Sequence, residues 1–230
     1  MPTTTTPAAP RLSVAKIAEY VSATPARRKR IILDAKEPMT FIVNTYVNAK
    51  DTLVDYFMAE NLNLEDILAA MERIKQARAD TPNAQQNQRL CIEALERFVD
   101  AAADLDHLES FKRNKGPKSA KKLPVKGVDI SVQPEVILRH AVKGKRTVGA
   151  VKLVFSKNNP LSNAQGECIA ALLNAHLQDI KKADETVAVK HCLVVDVFAG
   201  QIYSPPKAFK RKMKDVEAAC EEIAGRWEAL

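Results

Sequence analysis

The chain has 230 residues, 46% of them hydrophobic, so it is long enough to bury a substantial core, and it contains no apolar run near the roughly 20 residues that a membrane-spanning helix requires. Its four cysteines are widely spaced and lack CxxC pairing, which favours free thiols of a cytoplasmic protein over disulfides or a zinc site. The net charge of +7 is uneven: residues 1–111 carry −3, whereas residues 112–230 carry +10 from 22 Lys and Arg against 12 Asp and Glu. The C-terminal half is therefore expected to attract a polyanion such as nucleic acid, with an ordinary solvated surface as the alternative.

The N-terminal part of the chain predicts helices. Residues 1–10 are expected to be a disordered tail, because they lack both the basic and the apolar segment of a signal peptide. A helical domain is expected over residues 11–111. Its first helix, over residues 12–21, has apolar side chains on roughly one face, and Thr24 followed by Pro25 is typical of the start of a second helix.

The second predicted helix is strongly basic, because residues 27–30 near its start are four consecutive cations. A short basic helix after a short first helix resembles half of a helix-turn-helix, so Arg27, Arg28 and Arg30 are candidate contacts to nucleic acid. The alternative is a solvated helix face that is partly paired with Asp34.

Further helices complete a predicted N-terminal bundle. A third helix is expected from about residue 40 to residue 58, and Asn63 is a candidate N-cap for a helix over residues 64–78. Thr81–Pro82 is typical of the start of a long helix, which is expected to continue to residue 108. Apolar residues at helical spacing indicate packing, and nothing in these helices resembles a cofactor-binding motif.

Residues 112–126, KRNKGPKSAKKLPVK, are expected to form a flexible basic linker between two domains. Gly116 and Pro117 disfavour regular structure, and seven of the residues are Lys or Arg. Lys121 and Lys122 are candidate phosphate contacts, with plain solvation of the linker as the alternative.

The remaining residues, 127–230, predict an α+β domain with a small mixed sheet and the element order β-β-β-α-β-β-α. The predicted strands cover residues 128–132, 136–138, 145–153, 188–197 and Gln201–Tyr203. One helix is expected over residues 163–180, capped by Ser162 or Asn163, and a last helix over residues 216–227. A basic segment before the last helix makes Lys210, Arg211 and Lys212 candidate nucleic-acid contacts.

The order helix, three strands, helix, strand, over about residues 85–200, resembles the core of the PD-(D/E)xK nuclease superfamily. In that family an acidic residue on the second strand and an acid-x-Lys motif on the third bind a divalent metal and orient the attacking water. Pro134–Glu135 stands where the family has Pro-Asp, and Ala150–Val151–Lys152 stands where it has acid-x-Lys, so one acid is missing. Some relatives carry that acid on the following helix, where this chain has Glu167.

The resemblance implies a catalytic set of Glu135, Lys152 and Glu167. It also implies Mg²⁺ or Mn²⁺ held by Asp129, Glu135 and Glu167, with Asp129 on a first strand beside the others. Because Ala150 offers no oxygen ligand to a hard cation, weak or no divalent metal binding is expected.

We therefore expect a nucleic-acid-associated bacterial protein with a divergent nuclease-like domain, by analogy in phage defence or DNA processing. The incomplete motif leaves open whether it cleaves its DNA or RNA. The alternative is a non-enzymatic assembly subunit, whose helical half binds a protein partner or a second copy. Asp196 lies within an otherwise apolar strand, so its carboxylate needs either a partner or an exposed strand end, in a structural or a functional role.

Overall fold

The computed structural model describes residues 9–37, 45–142 and 144–229. Most of the predicted tail, the first residues of the predicted third helix and Lys143 of the predicted turn lie outside these ranges. The described residues form a mixed α/β fold. Its helices are α1 (Val14–Ser22), α2 (Pro25–Lys36), α3 (Val47–Met58), α4 (Leu64–Gln76), α5 (Pro82–Ala102), α6 (Asn163–Ile180) and α7 (Phe209–Trp227). A 3₁₀ helix over Ala103–Ser110 follows α5.

The strands form a five-stranded sheet and a three-stranded sheet. They are β1 (Arg11–Ser13), β2 (Lys112–Lys115), β3 (Leu123–Val125), β4 (Val128–Ser131), β5 (Val136–Val142), β6 (Lys145–Val154), β7 (Glu185–Asp196) and β8 (Gln201–Tyr203). The larger sheet has the order β2-β5-β6-β7-β8, in which β6 and β7 are parallel and the other neighbours are antiparallel. Parallel neighbours require a crossover connection, and α6 supplies it. The smaller sheet has the order β1-β4-β3.

Helices cover both faces of the larger sheet. Side chains alternate between the faces of a strand, so β6 sends Ala150 into one apolar cluster and Val151 and Leu153 into the other. The first cluster contains residues of α1, α2, α6 and α7 together with the smaller sheet. The second contains residues of α3, α4 and α5. The five-stranded sheet is thus the middle layer of three.

The predicted separate N-terminal bundle is not confirmed. Helix α1 packs against α6 and α7, while α3, α4 and α5 lie on the other face of the sheet. Strand β1 also joins the two predicted domains, because Leu12 pairs with Ile130 of β4. Whether either half folds alone stays a prediction, and the shared cores argue against it.

The prediction of an irregular linker is wrong for two segments. Lys112–Lys115 forms β2, an edge strand that pairs with β5, and Leu123–Val125 forms β3. Lysines are common on edge strands because they discourage pairing with other chains. Five strands rather than the predicted three therefore lie between the 3₁₀ helix and α6.

Several local predictions agree with the structure. The hydroxyl of Ser162 caps α6 in a capping box with Gln165, and Thr24 and Thr81 cap α2 and α5. Strand β8 has its predicted bounds. Among the helices of the described ranges, none combines the length and apolarity needed to cross a membrane.

Candidate functional site

A buried carboxylate beside two lysines is the main candidate site. Glu135 is only 2% exposed at its side chain, and Lys152 Nζ lies 2.9 Å and 3.2 Å from its two carboxylate oxygens. Lys50 Nζ, which comes from α3, lies 2.9 Å from Glu135 Oε1. We call Lys50, Glu135 and Lys152 the Glu135 cluster.

The end of the pairing between β5 and β6 explains why a carboxylate is buried there. The ladder ends where Val136 pairs with Val151, after which the Glu135 N–H still donates to Val151 O at 2.9 Å. The next free donor on β6 is the Leu153 N–H, which donates to Glu135 Oε2 at 2.8 Å. At this edge of β6 the Glu135 carboxylate thus accepts the backbone hydrogen bond that a neighbouring strand would otherwise accept.

The close approach of β2 positions the backbone of Glu135. The Gly116 N–H donates to Glu135 O at 2.7 Å. A Cβ on Gly116 would lie 1.9 Å from Pro134 O, so only glycine fits without a shift of the backbone. Gly116, which predicted irregular structure, is therefore a positioning residue for the site.

The Glu135 cluster carries more positive than negative charge. Two ammonium groups face one carboxylate, which leaves one formal positive charge. The side chain of Lys50 is 43% exposed and that of Lys152 is 17% exposed, so the surplus charge is accessible from solvent. Such a cluster favours an anionic ligand over a cationic one.

The residues do not fit the divalent metal that the family resemblance implies. The carboxylate of Glu135 already accepts from two ammonium groups and a backbone N–H, and Ala150 is buried with no oxygen ligand to add. Within the described part of the chain, no group of three or more His, Cys, Asp or Glu residues could hold a metal ion.

The other two carboxylates of the predicted set lie elsewhere. Glu167 forms an ion pair with Lys212 of α7 at 3.9 Å, and no described contact joins it to Glu135 or Lys152. Asp129 lies on β4 of the three-stranded sheet, so the prediction that its strand runs beside the site is wrong. The chain inserts β3 and β4 before β5, and β2 is the strand that neighbours β5. Of the predicted catalytic residues, the structure joins Glu135 and Lys152 alone.

Most of the predicted nucleic-acid contacts are engaged within the protein. Their partners are Glu19 for Arg27, the Tyr20 and Val21 carbonyls and Glu222 for Arg28, Asp34 for Arg30, Asp179 for Lys121 and the Ser131 hydroxyl for Lys122. Burial lowers the pKa of Lys122. Ion pairs at an exposed surface can open, but these cations have less free charge to offer than the sequence suggested.

The first turns of α7 keep their positive charge. Lys210 and Arg211 are exposed, and neither has an ion-pair partner among the described residues, while Lys212 has the long contact to Glu167. The first turn of α7 contains no acidic residue that would offset this charge. This segment, residues 207–214, is a surface of largely uncompensated positive charge, and we call it the α7 basic segment.

Asp196 has a structural role. It is fully buried, and its carboxylate accepts from the Leu161 N–H at 2.7 Å and from the Ala199 N–H at 3.3 Å. These bonds hold the loop before α6 and the turn after β7. Backbone donors satisfy a buried carboxylate without a counter-charge.

Lys50 was not among the site residues predicted from the sequence. Lysines on a helix surface are common, and its partner lies far along the chain, so no local pattern pointed to the contact. The signal was available only from Glu135, which as a buried carboxylate needed a counter-charge.

Two features of the structure thus bear on function: the Glu135 cluster and the α7 basic segment. A comparison of the chain with protein-family models and with curated proteins found no match in either. The functional proposal therefore depends on the geometry and charge of these two features.

Proposed function

We propose that this protein binds nucleic acid through a divergent, non-cleaving core of the PD-(D/E)xK nuclease type. The observation that carries the proposal is the contact between Glu135 and Lys152, with Nζ 2.9 Å from the carboxylate. In the family a carboxylate of the second strand and a lysine of the third meet at one site. Here the two residues come from the start of β5 and from the neighbouring β6.

The order of elements in the larger sheet supports the same proposal. If β3 and β4 of the smaller sheet are left out, the elements that follow α5 along the chain are β2, β5, β6, α6 and β7. That is the family order of helix, three strands, helix, strand. A resemblance of fold does not by itself carry an activity, so we propose only binding on this ground.

Lys50 accounts for the loss of cleavage in this proposal. Its ammonium forms an ion pair with the Glu135 carboxylate, which would otherwise bind a metal. Ala150 stands at the position where the family's acid-x-Lys motif has its acid. A tethered ammonium can attract a phosphate, but it cannot lower the pKa of a bound water as a metal ion does. The cluster then serves as a phosphate contact, together with the α7 basic segment.

Binding of this kind is directed at phosphates and depends strongly on salt. Each phosphate that a Lys or Arg neutralises releases counterions, so affinity falls as salt rises. The test is fluorescence anisotropy with a labelled oligonucleotide of about 20 nucleotides, from about 50 mM to about 200 mM salt. Replacing Lys210, Arg211 and Lys212 together with alanine should lower the slope of log affinity against log salt by about 2 to 3.

A matched control removes three other exposed cations. Lys75, Arg78 and Arg89 lie on or next to α4 and α5, and their replacement lowers the net charge equally. We expect this control to keep nearly all of the affinity. No binding by the unaltered protein at low salt, or equal losses in both triple variants, would contradict the proposal.

The non-cleaving part has its own test. We expect calorimetric titration with Mn²⁺ to show weak or no binding, and plasmid DNA to remain intact in its presence. Metal-dependent cleavage that disappears in Lys152→Ala would show instead that the Glu135 cluster is a working nuclease site.

A second candidate function is protein assembly, which an open groove between α3 and α4 favours. The groove has a volume of about 490 Å³, and its lining includes Asp51, Asp55 and Asp66. Leu68, also on α4, is 51% exposed. Arg73 also lines the groove and Asp55 pairs with Lys115, so Asp51 and Asp66 are the carboxylates that would suit a basic segment of a partner protein or of a second copy. Under either function we propose a cytoplasmic setting, with phage defence or DNA processing as the analogy from the family.

A further inference from the structure

Three aromatic rings gather at the end of the sheet that carries the Glu135 cluster. The ring of Tyr46 stacks on Phe155 with a centroid distance of 5.4 Å and an interplanar angle of 15°. Phe198 meets Tyr46 edge to face, also at 5.4 Å. All three side chains are half-buried, and they lie at the margin of the apolar cluster formed with α3, α4 and α5. We call Tyr46, Phe155 and Phe198 the aromatic trio.

The chain places the aromatic trio next to the lysines of the Glu135 cluster. Tyr46 and Lys50 are one helical turn apart, and the backbone N–H of Lys50 donates to the backbone carbonyl of Tyr46 at 2.8 Å. Phe155 comes three residues after Lys152, just beyond the end of β6. The rings and both ammonium groups therefore share one end of the sheet.

A third lysine, Lys157, lies near Tyr46. Burial raises the pKa of the Tyr46 hydroxyl, while the nearby Lys157 ammonium opposes the rise. Lys157 is 40% exposed and forms an ion pair with Glu93 of α5. The half-buried rings thus lie at the same end of the sheet as Lys50 and Lys152, and Tyr46 lies near Lys157.

We infer that the aromatic trio is a surface for stacking unpaired bases, so that the nucleic acid bound here is single-stranded. This inference rests on the proposed function, and it adds the class of nucleic acid. Proteins that bind single strands combine aromatic faces for bases with a positive groove for the backbone. Bases within a duplex are already stacked on each other, so half-buried rings next to phosphate contacts have nothing to stack on there.

The experiment compares single-stranded and duplex oligonucleotides by fluorescence anisotropy at low salt. The probes are oligo-dT and oligo-U of about 20 nucleotides and a duplex of the same length. We expect both single strands to bind more tightly than the duplex. Phe155→Leu and Tyr46→Leu keep an apolar side chain but remove the ring, and each should weaken single-strand binding about fivefold or more.

Two further variants separate stacking from damage to the fold. Phe155→Tyr keeps a ring and should retain the affinity. Phe111→Leu removes a ring that packs on His140 and His191 at the other end of β2, away from the Glu135 cluster, and should leave binding unchanged. Each variant is checked for an unchanged thermal transition.

The outcomes distinguish this inference from the proposal beneath it. Duplex binding as tight as single-strand binding, or unchanged affinity in folded Phe155→Leu and Tyr46→Leu, would overturn the single-strand inference and leave nucleic-acid binding in place. Absence of binding to all three probes at low salt would overturn both.

Discussion

Two buried carboxylates at the same end of the five-stranded sheet differ in the groups that neutralise them. Glu135 contacts the ammonium groups of Lys50 and Lys152, whereas Asp196 accepts from backbone N–H groups of the loop and turn around it. Burial alone therefore does not identify a functional acid, because each carboxylate is satisfied in a different way. The Glu135 cluster keeps one positive charge that can attract an external anion. Among the described residues, the Asp196 carboxylate accepts hydrogen bonds only from backbone N–H groups of the adjacent loop and turn.

The largest effect is expected from Gly116→Ala, which breaks the backbone support of the Glu135 cluster. The new Cβ would overlap Pro134 O at 1.9 Å, so the strand end must move. We expect the free energy of unfolding to fall by about 3 kcal/mol, measured by urea denaturation.

The control for this change is Gly225→Ala in α7. Apart from its chain neighbours and its own helix backbone, no atom of the described residues lies within 4 Å of the Cβ position there, and the residue is exposed in a helix. Alanine should stabilise that site by about 0.5 kcal/mol or more. Equal stability of the two variants would show that β2 does not hold the Glu135 backbone.

Asp196→Ala should have the next largest effect. It leaves the Leu161 and Ala199 N–H groups without their acceptor in a buried place, at a cost of about 2 kcal/mol in the free energy of unfolding. Asp196→Asn keeps a side-chain oxygen acceptor and should cost less. Because the role is structural, nucleic-acid affinity should not change in either variant that remains folded. A large loss of affinity at full stability would assign Asp196 to the binding site.

Glu135→Gln should have a smaller effect on stability and the opposite effect on binding. The amide oxygen can still accept the Leu153 N–H, but both ammonium groups lose their counter-charge, at a cost of about 1 kcal/mol in the free energy of unfolding. The cluster then carries two positive charges, so affinity for the oligonucleotide should rise and its salt dependence should steepen by about 1. Weaker binding in this variant would show that the carboxylate itself contacts the ligand.

The smallest effect on the free energy of unfolding is expected from a buried histidine. Within the described part of the chain, this histidine has neither a charged partner like that of Glu135 nor a backbone hydrogen-bond partner like that of Asp196. His176 of α6 is fully buried, and its two ring nitrogens have no hydrogen-bond partner among the described residues. Burial lowers the pKa of His176, with a smaller opposing effect from Asp179. The neutral form of His176 is therefore favoured in the folded state. Protonation of His176 does not reduce the free energy of unfolding as long as the pH is above the unfolded pKa of about 6.5.

Stability should consequently fall as the pH drops below about 6.5, where the unfolded chain takes up a proton that folded His176 resists. The measurement is urea denaturation from about pH 7.5 to about pH 5.5, above the range in which ordinary carboxylates titrate. In His176→Leu the free energy of unfolding should fall less between these two pH values. His191, whose pKa burial also lowers, should account for part of the remainder. An identical pH dependence in His176→Leu would contradict this role for the histidine.

Much of the local structure was predictable from the sequence because its causes are local. The hydroxyls of Thr24 and Ser162 each accept from the backbone N–H three residues onward, so these caps depend on neighbouring residues alone. The sequence predicts a strand over residues 188–197, and β7 covers most of that range; the residues of β7 enter both apolar clusters, as expected of an apolar strand buried on both faces. The family resemblance led us to expect Glu135 and Lys152 at one site, and in the structure Lys152 Nζ lies 2.9 Å from the Glu135 carboxylate.

Only the tertiary structure decided which distant segments meet. The strand Lys112–Lys115 has no apolar alternation of its own, and it exists because β5 offers an edge to pair with. Asp129 and Glu135 are close in sequence but belong to different sheets, since the pairing of β1 with β4 takes Asp129 away. Lys50 reaches Glu135, and Tyr46 reaches Phe155, because α3 packs on one face of the sheet. Helical and strand periodicities report which side of a segment is buried, whereas the partner of that side depends on the packing of the whole chain.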